Sequence, residues 1–279
     1  PPSNNTRSLI RRPKMKTGAQ RIASLICHTL KSYPLMMMRD NALPPFIHPI
    51  MANPGPEAPD MESLKNCISL MQLLKPELQG NRRLFWRNVR QECERLYKMS
   101  AELNPHEVIA ALQAISIYII VRLDDGETES NDIAGLLITT VFVSVSALKT
   151  LSMELGRTDF GQESVLSNKT PDVTWRHWIF VESGRRLCVL YQIVNMVVIF
   201  EPAAMCDLES IGIILSPLPA RKQLWEADTA GQWMARIEKD LGAQTDYGMA
   251  VNGDFVKVSE TPQSGTVAYG VTRNRQTAE

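Results

Sequence analysis

The feature that most constrains the fold is a pair of almost wholly apolar segments in the middle of the chain. The first segment follows Asn104, Pro105 and Glu107, which provide an N-cap, a first-turn proline and a capping glutamate at a helix start. The helix should run to about residue 123, and its last stretch, residues 115–121, is almost wholly apolar. The second segment, residues 133–148, is shorter than the roughly 20 residues that span a bilayer. Both segments therefore predict buried helices, with the first at the centre of the fold.

Most other segments show apolar residues at three- and four-residue spacing, the pattern of amphipathic helices. Helices are predicted over about residues 18–32, 60–75, 82–103 and 170–200, with a last helix through residues 233–241. Strand-like alternation is weak and limited to residues 255–258 and 267–271. The sequence therefore predicts an all-α fold in which about eight helices form a single domain.

Proline-rich segments and polar ends bound this domain. The prolines of residues 33–49 exclude helix and favour an extended strap, and residues 215–220 predict a second strap. Residues 1–16 are polar and basic, which predicts a disordered segment, and residues 244–279 predict a flexible polar tail. The helical domain is thus expected over residues 17–243.

The composition limits the classes of partner and cofactor. The 30 basic and 30 acidic residues give no net charge, so no overall field attracts nucleic acid or an anionic membrane. The five cysteines are scattered without metal-ligand spacing, which predicts reduced core residues and no structural zinc site. The basic cluster at residues 11–16 is a nuclear import signal, a phosphate-contacting arm or a solvated tail.

A cluster of aromatic and charged residues marks the predicted helix over residues 170–200. Trp175 and Trp178 share one helix face, and Glu182 precedes Arg185 and Arg186 by three and four residues. The charged set either binds an effector carboxylate or phosphate or forms an intramolecular clamp, and the clamp is favoured because such pairs commonly support helices. The tryptophans either line a ligand pocket or pack in the core, and core packing is favoured because aromatic side chains bury so much area.

These residues, with two proline-rich straps, resemble the regulatory (middle homology) region of fungal zinc-cluster transcription factors. In that family a Trp-x-x-Trp, Glu-Ser-x-Arg-Arg helix precedes a Leu-Pro-Leu-Pro-Ala-like strap and a Leu-Trp-Glu-Ala segment. The matching residues here are Trp175, Trp178, Glu182, Ser183, Arg185 and Arg186, then Leu215, Pro217, Leu218, Pro219 and Ala220, then Leu224, Trp225, Glu226 and Ala227. The earlier strap at residues 43–49 also resembles the family's segment.

The resemblance implies a nuclear transcription regulator that controls a fungal secondary-metabolite gene cluster. It implies a structural core made of Trp175, Trp178, Glu182, Arg185, Arg186, Pro219, Leu224, Trp225 and Glu226. The family reads DNA with six cysteines around two zinc ions, and this sequence contains no such cluster. Promoter DNA would therefore be reached through a missing domain or a partner protein, such as another transcription factor. A homodimer is compatible with the family, and neither a membrane nor a cofactor is expected.

An enzyme is the alternative interpretation. The acidic loop that begins at Asp124 and Asp125 follows an apolar helix, and adjacent carboxylates there would hold magnesium against a diphosphate, as in terpene synthases. That chemistry needs a second acidic cluster facing the first, and no segment of the sequence has suitable spacing. A helix-capping loop is the better account, so no catalytic residue is assigned.

Overall fold

The structure of the protein, a computed structural model, describes residues 9, 17–39, 42–53, 61–75, 81–125, 131–154, 171–198, 200, 215–239, 247–250 and 255–257. Within these ranges the helices are α1 (Thr17–Arg39), α2 (Pro49–Ala52), α3 (Glu62–Met71), α4 (Arg82–Met99), α5 (Pro105–Asp125), α6 (Asn131–Glu154), α7 (Pro171–Val197), α8 (Lys222–Trp225) and α9 (Ala230–Lys239), with a 3-10 turn at Gln72–Leu74. Three short strands are β1 (Leu215–Pro217), β2 (Tyr247–Ala250) and β3 (Phe255–Lys257). The prediction of an all-α fold is confirmed.

Helix α5 forms the centre of the core, as its composition predicts. It packs against α1, α3, α4, α6 and α7, and every residue from 108 to 122 is buried. By length and composition α5 is able to span a membrane, but 83% of its most apolar window is buried inside the protein. A core helix that is surrounded by other helices is as apolar as a membrane-spanning helix, because every face of it contacts apolar side chains.

The predicted start of α5 is a complete capping box. Asn104 Oδ1 accepts hydrogen bonds from the backbone N–H groups of His106 and Glu107, at 3.0 and 3.1 Å. Glu107 Oε2 in turn accepts from the backbone N–H of Asn104 at 2.8 Å. These bonds satisfy donors that the first turn of a helix leaves without partners, so the local sequence alone fixes where α5 begins.

An ion pair within α4, whose carboxylate is buried, also contacts α3. Arg95 donates from Nε and Nη2 to the two carboxylate oxygens of Glu92, at 3.0 and 2.7 Å, and Glu92 is buried. The same guanidinium reaches Glu62 and Ser63 on α3, at 3.1 and 3.0 Å. The bidentate geometry, together with the nearby carboxylate charges, raises the pKa of Arg95.

Helix α1 is longer than predicted at its C-terminal end. It continues through Pro34 to Arg39, whereas the prolines predicted an extended strap from residue 33. A proline inside a helix costs about 3 kcal/mol, and burial of Leu30, Pro34 and Met37 offsets that cost. Among the described residues of this region, residues 42–48 are without helix or strand.

The apolar spacing that predicts a helix over residues 18–32 includes Ile22 and Leu25, and the structure has this helix. Both are mostly exposed, at 62% and 67%. A helical repeat shows which residues share a face, but the packing of neighbouring helices decides whether that face is covered.

The three strands correct the prediction of a flexible tail for part of residues 244–279. They form an antiparallel sheet in the order β1-β2-β3, with Ser216 opposite Met249 and Gly248 opposite Val256. Strand formation depends on pairing with distant segments, which a weak local alternation does not reveal. The rest of the predicted tail, and the predicted disordered segment 1–16 apart from Leu9, lie outside the described residues.

The capping box predicts a difference between two asparagines that both precede helices. Asn104→Ala should lower the free energy of unfolding by about 1 kcal/mol, because two N–H groups lose their acceptor. Asn81→Ala is the matched control, since the side chain of Asn81 makes no capping hydrogen bond at the start of α4. Urea unfolding of the two variants measures the difference, and equal losses would contradict the assigned cap.

Candidate functional site

The residues that carry the family resemblance meet beside α7. Within the two predicted straps, residues 215–217 form β1, and the described residues 42–48 and 218–221 contain neither helix nor strand. We call residues 42–48 the N-terminal strap and residues 218–221 the C-terminal strap. Helix α8 follows the C-terminal strap directly. Because the straps have no helix or strand partners, some of their backbone groups bond to side chains, including the carbonyl oxygen of Phe46, which accepts from Gln113 of α5 at 2.9 Å, and others that α7 binds.

Glu182 joins α7 to the C-terminal strap. Its side chain is fully buried, with 0% exposure. Oε1 accepts from Arg186 Nε at 2.9 Å and from the backbone N–H of Ala220 at 2.7 Å. Arg185 Nη1 lies 3.8 Å from Oε2. One carboxylate therefore binds both a neighbouring turn of its own helix and a segment 38 residues further along the chain.

Arg186 joins α7 to both straps. Its Nη1 donates to the carbonyl oxygen of Pro45 at 2.9 Å, and its Nη2 donates to the carbonyl oxygen of Ala220 at 3.0 Å. The guanidinium carbon also lies 4.2 Å from the ring centroid of Trp225, a cation–π contact. Each guanidinium nitrogen of Arg186 thus donates to an oxygen of the protein itself, which favours the intramolecular clamp over an effector site.

Burial acts on the two charged groups of this clamp in opposite directions. Desolvation raises the pKa of Glu182, while the charge of Arg186 and the hydrogen bond from Ala220 act to lower it. Desolvation lowers the pKa of Arg186, and the charge of Glu182 acts to raise it. Each charge therefore depends on the other, since either one alone would be buried without compensation.

The tryptophans form a packed aromatic cluster around His48. The ring of His48 makes edge-on contacts with Trp225 and Trp175, at centroid distances of 4.9 and 6.0 Å. Trp178 lies 6.5 Å from Trp225 and 5.6 Å from Trp233. Trp175, Trp225 and Trp233 are buried, which agrees with core packing.

His48 is a part of the site for which the sequence pattern predicts no functional role. Its Nδ1 accepts from the backbone N–H of Ile50 at 3.2 Å and caps α2. Burial lowers the pKa of His48, while backbone hydrogen bonds with Trp225 and Ala227 act to raise it. The histidine thus connects the N-terminal strap to the segment around α8. Its position in a proline-rich apolar segment was the only available signal.

The remaining predicted core residues divide into two groups. Pro219 and Leu224 are half-buried, on either side of the segment that Arg186 and Glu182 bind, and Leu224 packs against the core. Glu226 differs from its prediction, because its side chain is 57% exposed and lies 3.6 Å from Lys222 on the surface. The preceding residue, Trp225, is buried in the core, whereas the side chain of Glu226 points to solvent.

The acidic pair at the end of α5 is held by cations of neighbouring helices. Asp125 accepts from Trp86 Nε1 at 2.8 Å and forms an ion pair with Arg82. Asp124 pairs with Lys31 at 2.7 Å. Among the described residues, no three His, Cys, Asp or Glu side chains lie where they would hold a metal ion together. This geometry gives the two carboxylates a structural role at the junction of α1, α4 and α5.

Comparisons with known proteins identify no relative of this chain. No protein-family model, curated protein or solved structure matches the chain. The resemblance to fungal zinc-cluster regulators therefore stays a prediction from the motif residues.

The clamp predicts a large effect of removing one of its two charges. Arg186→Ala should lower the free energy of unfolding by about 3–5 kcal/mol, because Glu182 remains buried without its partner. Urea unfolding measures the loss. Lys222→Ala is the control, since it removes an exposed pair worth about 0–1 kcal/mol.

A double variant tests whether the loss comes from the uncompensated charge. Glu182→Gln combined with Arg186→Met removes both charges and keeps an amide oxygen that can accept from Ala220, so it should be more stable than Arg186→Ala. A double variant that is less stable than the single one would contradict this account.

The lowered pKa of His48 predicts a loss of stability in mild acid. Below the ordinary histidine pKa of 6.5 the unfolded chain binds a proton at His48, whereas the folded chain does so only at a lower pH. Protons therefore favour unfolding in that interval, and stability should fall as the pH decreases from about 7 to about 5. His48→Asn retains a capping oxygen but does not titrate, so its unfolding free energy should fall less steeply.

Proposed function

We propose that the chain is the regulatory domain of a fungal transcription regulator that controls a secondary-metabolite gene cluster. The observation that supports it is the convergence of the resembling segments on one buried ion pair. Glu182 and Arg186 bind Ala220 of one strap, and Arg186 binds Pro45 of the other. Motif residues that meet in this way are expected of a shared fold rather than of a chance similarity in sequence.

The chemistry of the site is that of a structural clamp, which suits a regulatory domain better than a catalytic centre. Its charged groups use their hydrogen bonds to hold backbone segments of the same chain. The proposal therefore includes no catalytic residue, cofactor or metal in this chain. It places the protein in the nucleus, where it reaches promoter DNA through another domain or a partner protein. Pairing of two copies and association with other transcription factors belong to the same proposal.

Deletion of the gene tests the proposal directly. Under inducing conditions, transcripts of the genes around the locus should change, and RNA sequencing of wild-type and deletion strains measures that change. If every neighbouring transcript stays at its wild-type level, the regulatory function is wrong. The genomic DNA upstream of the coding sequence tests the route to DNA, because a cysteine-rich exon there would supply the zinc-cluster domain.

Complementation with matched variants links the transcript change to the clamp. Reintroduced wild-type protein and Lys222→Ala should restore the transcripts, because the Lys222–Glu226 pair is exposed. Arg186→Ala should not restore them at the temperature where the purified variant is unfolded. Protein levels are measured in parallel by immunoblot. Restoration by Arg186→Ala at that temperature would show that the folded clamp is not required.

A further inference from the structure

We draw no further inference here: the strongest candidate, the exposed apolar pair Ile22 and Leu25 on the outer face of α1, carries none, because nothing in the structure shows what covers it.

Discussion

The buried ion pair between Glu182 and Arg186 is the interaction on which the positions of the two straps depend. The straps lack helix and strand, so their backbone groups need partners from elsewhere. Arg186 supplies donors to carbonyl groups that lie 141 residues before it and 34 residues after it in the chain. Because the carboxylate of Glu182 is shielded from water, the loss of either charge leaves the other in an unfavourable environment. The pair therefore couples both straps to the same face of α7.

Similar pairs recur where other helices meet. Arg95 binds the buried carboxylate of Glu92 on its own helix and Glu62 on α3, and Arg82 of α4 pairs with Asp125 of α5. Apolar burial around α5 supplies most of the driving force for folding, but it is not directional. Hydrogen-bonded charges have a defined geometry, so they restrict how the apolar helices pack against one another.

The local parts of this arrangement were predictable from the sequence. The capping box at Asn104 fixed the start of α5, and the four-residue spacing of Glu182 and Arg186 placed them on one helix face. Burial of Trp175 and Trp225 followed from their size. The sequence offered no comparable signal for Pro45, Ala220 or the role of His48, because these groups join the site through backbone atoms or through distant contacts. Glu226 differs in the other direction: the motif predicts it as part of the structural core, but its side chain lies on the surface.

The sequence by itself determined that the chain is all-α, that α5 is its central helix, and which charged residues of α7 pair along the helix. Each of these properties follows from hydrogen bonds and apolar contacts within about four residues, which repeat in register with the helix. The tertiary structure decided that α1 continues through Pro34, that Ile22 and Leu25 remain exposed, and that β2 pairs with both β1 and β3. It also decided where the straps meet the clamp. Those outcomes depend on contacts between residues far apart in the chain, and a local pattern does not specify which distant surface covers it.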